Sequence, residues 1–152
     1  MLDLTAEEFG QRAFNLNLIS ERDLQKVWAH FGTRDVPLGA LTTHMERQGL
    51  VTNYQVERLL KGEKAGFFYG DYKVLYFVGK GTFARVYRAA HKETGQVVAL
   101  KVLRKQYSEN PVDVQKFLRE GEMGSQLRHP NIVPCFEVHS VRRSHFLVMA
   151  FV

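Results

Sequence analysis

The feature that most constrains this sequence is a change in its hydrophobic spacing near residues 62–70. Before that stretch, apolar residues recur at the spacing of amphipathic helices. After it, short runs of β-branched and aromatic residues are typical of strands. The segment between them is charged and contains glycines, as linkers often do. The sequence therefore predicts a helical module at residues 1–65 and a second, α+β domain at residues 66–152.

The composition excludes several classes of protein. The chain has 152 residues, of which 45% are hydrophobic and 24% charged, so it is neither disordered nor fibrous. No run of 18 apolar residues is present, and the first ten residues are acidic and polar, unlike a signal peptide. A single cysteine, Cys135, leaves no internal disulfide and no cysteine-based zinc site. We expect a cytoplasmic protein without a membrane segment.

The formal charge of +5 is distributed unevenly along the chain. Residues 1–65 carry 8 basic and 9 acidic side chains, whereas residues 66–152 carry 13 basic and 7 acidic ones. The basic residues of the second part are scattered, and only Arg104-Lys105 and Arg142-Arg143 are adjacent. A nucleic-acid-binding surface needs clustered basic residues. We therefore expect no nucleic-acid partner, and the charge favours a small ligand that bears phosphate.

Three helix starts in the first part carry capping-box signatures, in which a hydroxyl caps one amide and a residue three positions later reaches back. They are Thr5-x-x-Glu8, Ser20-x-x-Asp23 and Thr52-x-x-Gln55. In addition, residues 18–28 map onto residues 50–60 at an offset of 32. Two copies are too few for a solenoid, so a small helical bundle is predicted. His30 and His44 lack the company of other metal ligands and are interpreted as structural.

The second part alternates strands and one helix. The predicted strands are Tyr72–Val78, Arg85–Ala90, Val97–Leu103, about Cys135–Ser140 and Ser144–Met149. Asn110 as N-cap and Pro111 at the first helical position open a helix that is expected to reach about Leu127. The fold class predicted for this part is a five-stranded antiparallel sheet plus one helix, and for the whole chain α+β.

A glycine-rich segment, Gly79-Lys80-Gly81-Thr82-Phe83-Ala84, separates the first two of these strands. Glycines permit close backbone approach, so such a turn can offer its N–H groups to phosphates. Two-glycine turns also occur in plain hairpins, and that interpretation stays open at this point. A dinucleotide-binding motif is disfavoured because a strand, not a helix, follows the glycines.

A lysine in an otherwise apolar strand is the second candidate. Lys101 ends the run Val-Ala-Leu-Lys, where a charged group must reach an edge or find an anion. The following helix supplies Glu120, and a Lys101–Glu120 pair would fix the ammonium where it can hold phosphate oxygens. Glu122 competes for that role, but it lies on another face of the helix.

Together these motifs resemble the N-terminal lobe of a protein kinase. The pattern Gly-x-Gly-x-x-Ala-x-Val is followed by Val-Ala-Leu-Lys, the helix glutamate and His-Pro-Asn-Ile-Val, in the order of that lobe. The resemblance covers about residues 72–152. The helical module that leads into Phe-Phe-Tyr-Gly-Asp-Tyr-Lys resembles extensions that precede bacterial serine/threonine kinases of the eukaryotic type.

The resemblance implies roles for individual residues around ATP. The loop over the phosphates would consist of Gly79, Lys80, Gly81, Thr82, Phe83 and Ala84, with Phe83 at its tip. Lys101 would bind the α- and β-phosphates, held in place by Glu120. The adenine end would be formed by Val86 and Ala99 on one face of the ring, Met149 as gatekeeper, and the hinge residues Ala150 and Val152. For Val86, Ala99 and Met149 a place in the core is equally expected.

The sequence also departs from the family pattern. Ala84 replaces the third loop glycine, and Gly121 and Gly124 lie in the helix of Glu120, each at a cost of about 1 kcal/mol relative to alanine. Gly124 stands where kinases place a bulky spine residue, and Cys135 takes the next spine position. The resemblance therefore implies a helix that is mobile in isolation.

The stretch ends at Val152, at the expected hinge, without a His-Arg-Asp or Asp-Phe-Gly segment. We expect a fragment that is inactive alone and holds no catalytic residue or metal ligand. The Mg²⁺ ligands and the site for the protein substrate would lie in the missing C-terminal lobe. The complete protein is expected to transfer the γ-phosphate of ATP to serine or threonine hydroxyls. The alternative is a non-catalytic scaffold with a kinase-like lobe, in which residues 1–65 bind a protein partner.

Overall fold

The computed structural model describes residues 4–123, 132–141 and 144–151. The chain divides into two compact units, Met1–Phe67 and Phe68–Val152. Among the described residues, the first unit contains α-helices and no strand, and the second combines an antiparallel sheet with one α-helix and a 3₁₀ turn. The α+β fold class is therefore confirmed. The domain limits at residues 65 and 66 remain a proposal about which segments fold on their own.

Four helices make up the first unit: α1 (Ala6–Asn15), α2 (Glu21–Phe31), α3 (Leu38–Arg47) and α4 (Asn53–Leu60). The predicted capping boxes form at Thr5 and at Thr52. The Thr5 hydroxyl accepts from the Glu8 N–H at 3.1 Å, and the Glu8 carboxylate accepts from the Thr5 N–H at 3.2 Å. Ser20 caps the Asp23 N–H at 3.1 Å without the reciprocal bond, because aspartate is one methylene too short.

The helices form two hairpins with the same turn, which extends the repeat beyond the segment recognised in the sequence. Asn17 and Gly49, 32 positions apart, both adopt left-handed backbone with φ of 61° and 72°. The N–H groups of Leu18 and Leu50 donate to carbonyls five residues earlier, each at 3.0 Å. The helices before these turns, α1 and α3, differ in sequence. The shared turn geometry therefore reveals that the two hairpins are similar, which residue identity alone did not show.

The segment after α4, expected to be a linker, packs on that helix. Arg58 of α4 donates from Nη2 to the Ala65 carbonyl at 2.8 Å. The Arg58 guanidinium also lies 5.7 Å from the ring centroid of Tyr54 and 5.6 Å from that of Phe67. Because one planar cation can donate and stack at the same time, a single arginine orders the segment.

Gly10 lets α1 approach α2 closely. A Cβ atom at this position would lie 2.9 Å from the Trp28 ring and 3.0 Å from Leu24. Gly39 in α3 is the contrasting case, since a Cβ there meets nothing within 4 Å. An added methyl group would therefore crowd Trp28 and Leu24 at Gly10, whereas it would be accommodated at Gly39.

We expect Gly10→Ala to lower the free energy of unfolding by about 1 kcal/mol, because overpacking outweighs the gain in helix propensity. Gly39→Ala is the matched control and should raise it by about 0.5–1 kcal/mol. Urea unfolding followed by circular dichroism measures both. Equal effects of the two substitutions would contradict this account of Gly10.

The second unit contains β1 (Phe68–Tyr69), β2 (Tyr72–Lys80), β3 (Ala84–His91), β4 (Val97–Leu103), a 3₁₀ turn (Lys105–Tyr107), α5 (Pro111–Met123), β5 (Ile132–Val141) and β6 (Ser144–Phe151). All neighbouring strands are antiparallel, in the order β1-β2-β3-β4-β6-β5. The prediction of five strands was one short. Strand β1 pairs with the start of β2 through a turn in which Gly70 has φ of 57°, and two residues are too few to show a strand period.

The strand limits also differ from those predicted. Strand β2 continues through the glycine-bearing residues to Lys80, and β5 and β6 are longer at their ends. Two register shifts in β2, between Val74 and Tyr76 and between Phe77 and Gly79, accommodate this extension. The end of the predicted helix at Leu127 and Gly124 lie outside the described residues, as do residues 129–131 and the Arg142-Arg143 turn.

Helix α5 packs closely on β6 at Gly121. A Cβ atom at Gly121 would overlap the side chain of Leu147, which is fully buried on β6. Leu147 stands opposite Lys101 in the β4–β6 register. Close packing therefore explains why a glycine, which weakens the helix, stands at position 121. Any side chain there would push α5 away from β6, the strand beside Lys101.

We expect Gly121→Ala to lower the free energy of unfolding by about 1–2 kcal/mol, since the overlap with Leu147 exceeds the gain in helix propensity. Leu147→Val in the same chain should restore part of that loss by removing the overlapping carbon. Gln115→Ala, at an exposed position of α5, is the control. Chemical denaturation compares the four proteins, and unchanged stability of Gly121→Ala would contradict the packing argument.

Candidate functional site

One face of the sheet collects the residues that the sequence assigned to the adenine end. Val86 stands opposite Lys101, and Ala99 stands opposite Met149. Side chains of directly opposed residues share a face, and so do residues two apart. The resulting buried cluster consists of Ala84, Val86, Ala99, Leu103, Phe117, Leu147 and Met149. It forms an apolar surface that continues from Lys101 along β3, β4 and β6.

Residues 81–83, between β2 and β3, form the glycine-rich turn of this structure. A cavity of about 220 Å³ lies between this turn and helix α5. Its lining residues are Gly81, Thr82, Phe83, Ala84, Lys101, Asp113, Lys116, Phe117 and Glu120. The turn contributes Gly81, Thr82 and Phe83, β4 contributes one ammonium, and α5 contributes both carboxylates and a second ammonium. Such a mixture of charged and apolar groups suits a polar ligand.

Lys101 is 6% exposed in the middle of strand β4. Burial lowers the pKa of its ammonium below the ordinary value, and the nearby charges of Glu120 and Cys135 partly raise it again. Within residues 4–123, 132–141 and 144–151, no ion pair joins Lys101 to Glu120 or to another carboxylate. A buried ammonium without a paired anion is costly, and an anionic ligand would relieve that cost.

The glycine-rich turn is tightly closed. The Gly81 N–H donates to the Ala84 carbonyl at 2.7 Å. From the other side, Arg104 donates its N–H to the Phe83 carbonyl at 2.7 Å and its Nη1 to the Thr82 carbonyl at 3.0 Å. In the part of the chain that the structure describes, the N–H groups of Thr82 and Phe83 have no acceptor. Two backbone donors beside Lys101 are therefore available to an anion.

The Phe83 side chain lies against the cavity and contacts two other residues. Its ring centroid is 4.7 Å from that of Tyr107 in an edge-to-face arrangement. On the opposite element, the Lys116 Nζ lies 5.7 Å from the centroid of the Phe83 ring. The turn is thus connected to both the 3₁₀ turn and α5 through a single aromatic side chain.

The structure brings some of the predicted site residues together and leaves others apart. Those that line the cavity are Gly81, Thr82, Phe83, Ala84, Lys101 and Glu120. Val86, Ala99 and Met149 lie in the adjoining buried cluster. The remaining predicted residues are Gly79 and Lys80, at the end of β2, and Ala150, opposite Val98 on β6. Val152 lies outside the described residues.

Sequence reasoning missed Asp113 and Lys116, which also line the cavity. With Phe117 and Glu120 they follow the spacing of three, four and seven residues that places side chains on one helix face. Once Glu120 was assigned to the site, this spacing would have identified them. An acidic residue in the first turn of a helix is explained by the helix dipole alone, so Asp113 gave no separate signal of a site.

Three further observations concern the described residues alone. No group of three or more histidine, cysteine, aspartate or glutamate side chains there is arranged to hold a metal ion. The rings of His30 and His44 are stacked, with centroids 4.0 Å apart. None of the described helices combines the length and the hydropathy that crossing a bilayer requires.

Comparison with known proteins identifies relatives of the second unit. CBL-interacting protein kinase 12 of Oryza sativa subsp. japonica is 39% identical over 87 residues, which are 57% of this chain and 16% of that protein. Serine/threonine-protein kinase PknD of Chlamydia muridarum is 35% identical over 81 residues, which are 53% of this chain and 9% of that protein. The chain thus spans less than a fifth of the length of either relative.

Among solved structures, the kinase domain of Mycobacterium tuberculosis PknI matches with a TM-score of 0.42 and 25% sequence identity. The match covers 57% of this chain and 35% of that one. The family model described as protein kinase domain matches residues 72–152, which is more than half of the chain. The chain therefore belongs to the protein kinase family, and its second unit is the N-terminal lobe of a kinase domain.

Proposed function

We propose that this lobe binds ATP at the cavity beside Lys101, and that the whole protein transfers the γ-phosphate of ATP to serine or threonine hydroxyls of proteins. The observation that carries the proposal is that one buried, unpaired ammonium and two residues with open backbone N–H groups line a common cavity. These are the donors that a chain of phosphate groups requires.

The phosphate end of the proposed site has a clear division of roles. Lys101 neutralises phosphate oxygens, and the N–H groups of Thr82 and Phe83 donate to them. The Glu120 carboxylate, on the opposite wall, raises the pKa of Lys101 and so favours its charged form. In the free protein the ammonium is held near a carboxylate without a closed ion pair, so it can turn to a ligand at little cost.

The adenine end would use the apolar surface next to the cavity. Ala99 is small and fully buried among the residues of this cluster, and it would lie under one face of the ring. Val86 and Met149 flank it on the neighbouring strands. Ala150 continues β6 towards the proposed hinge, where its backbone groups, with those of Val152, would bind the edge of the base.

MgATP supplies an activated phosphoryl group, whereas the acceptor hydroxyl must be held by other groups. The described residues provide no cluster that could hold Mg²⁺. We assign the metal ligands and the residue that orients the acceptor hydroxyl to a C-terminal lobe of the whole protein, as membership of the protein kinase family implies. The chain of 152 residues would then bind nucleotide without transferring phosphate.

The choice of serine and threonine rests on the relatives. Two of them carry the name serine/threonine-protein kinase, PknD of Chlamydia muridarum and CBL-interacting serine/threonine-protein kinase 14 of Arabidopsis thaliana. The substrate class is therefore inferred from these relatives and not from the geometry of the site.

We expect Lys101→Met in the whole protein to lower phosphate transfer at least about 100-fold, because the buried electrostatic contact to the phosphates is lost. The fold should persist, since methionine replaces a buried ammonium by an apolar chain of similar length. Transfer of radiolabelled phosphate from ATP to a mixture of proteins measures activity, and phosphoamino acid analysis identifies the acceptor.

Lys105→Met is the matched control, because Lys105 is exposed and does not line the cavity. It should retain activity within about twofold, as surface substitutions generally do. Normal transfer by Lys101→Met would refute the assignment of the site. An unsubstituted protein that binds no ATP would instead favour the scaffold interpretation of the lobe.

A further inference from the structure

Arg104, the first residue after β4, holds the glycine-rich turn at two consecutive peptides. Its backbone N–H donates to the Phe83 carbonyl at 2.7 Å, and its side-chain Nη1 donates to the Thr82 carbonyl at 3.0 Å. Tyr107, three residues later, packs its ring against that of Phe83. The turn is thus attached to the segment after β4 as well as to its own hairpin.

Peptide geometry gives these contacts a consequence for the cavity. The described peptide bonds are trans, so the carbonyl and the N–H of one peptide point in opposite directions. The Thr82 carbonyl shares its peptide with the Phe83 N–H. When the Arg104 guanidinium binds that carbonyl, the Phe83 N–H points away from the guanidinium. The guanidinium therefore fixes the orientation of one of the two open donors.

Gly81 gives this turn little conformational preference of its own, and Gly79 lies just before the turn at the end of β2. Without an external contact, the turn would lose much backbone freedom when a ligand orders it, and that loss would weaken binding. The backbone bond of Arg104 persists in any residue with an N–H. The side-chain bond to Thr82 depends on the guanidinium, so a substitution can remove it selectively.

We infer that Arg104 is a positioning residue: its guanidinium holds the glycine-rich turn so that the Phe83 N–H faces the phosphates of a bound nucleotide. This inference rests on the proposed binding of ATP. Arg104 is neither a lining residue of the cavity nor a member of the buried apolar cluster, so its effect should be confined to ligands that carry phosphate.

The test compares Arg104→Met with Arg85→Met in the whole protein. Methionine keeps most of the apolar stem of arginine and removes the donor. Arg85→Met removes the same charge from the second residue of β3, close to the glycine-rich turn. The Arg85 side chain is exposed. Calorimetry measures the affinities of ATP, inorganic tripolyphosphate and adenosine, and circular dichroism verifies that each variant is folded.

Arg104→Met should weaken ATP and tripolyphosphate by about threefold to tenfold, the usual effect of one net hydrogen bond, and leave adenosine within about twofold. Arg85→Met should leave all three within about twofold. Arg104→Lys should recover part of the loss, because its ammonium can donate but lacks the rigid fork. The contrast between phosphate-bearing ligands and adenosine is the readout that a general loss of stability would not produce.

Three outcomes would overturn the inference. Equal weakening of ATP and adenosine would show a structural role, and equal effects of the Arg85 and Arg104 variants would show a simple effect of charge. Tighter ATP binding by Arg104→Met would show that the arginine holds the turn in a blocking position. If the unsubstituted protein binds neither ATP nor adenosine, the proposed function itself fails, and the inference falls with it.

Discussion

Close packing of α5 against β6 determines where the charged groups of the cavity stand. Gly121 is buried against Leu147, and Leu147 is the cross-strand partner of Lys101. The same helix presents Glu120 to the cavity one residue earlier. A larger residue at position 121 would move the carboxylate away from the ammonium whose pKa it raises. The glycine thus costs helix propensity and gives the site its dimensions.

The cavity depends equally on contacts that cross between elements. The glycine-rich turn is held by Arg104 from one side and meets Lys116 of α5 through the Phe83 ring. Asp113 and Glu120 alternate with Lys116 along the wall of the cavity. This alternation balances charge around Lys101 while leaving the ammonium without a closed pair. In the proposed function, this unpaired ammonium is the group that a phosphate would neutralise.

Local sequence signals predicted the elements well. The capping boxes at Thr5 and Thr52 depend on residues three apart, and the order of strands and helix follows from period and composition. The face shared by Ala99 and Lys101 follows from strand geometry alone. The sequence could not predict strand β1, whose pairing depends on the turn at Gly70, or the contact of Arg104 with Thr82, which joins residues 22 positions apart. Such features depend on tertiary packing and produce no periodic pattern in the sequence.

The register of the sheet has a consequence for the way the lobe is made. Strand β4 pairs with β6 and not with the next strand in the chain, and Leu147 follows Lys101 by 46 residues. Closing so long a loop costs chain entropy before any contact repays it. During synthesis, β3 and β4 can pair as soon as they appear, but the apolar strand that carries Lys101 has an open edge until β6 is made. Strands left open in this way are the ones that associate with other chains. Lys101, at the centre of the proposed site, thus lies on β4, the strand whose partner β6 is synthesised last.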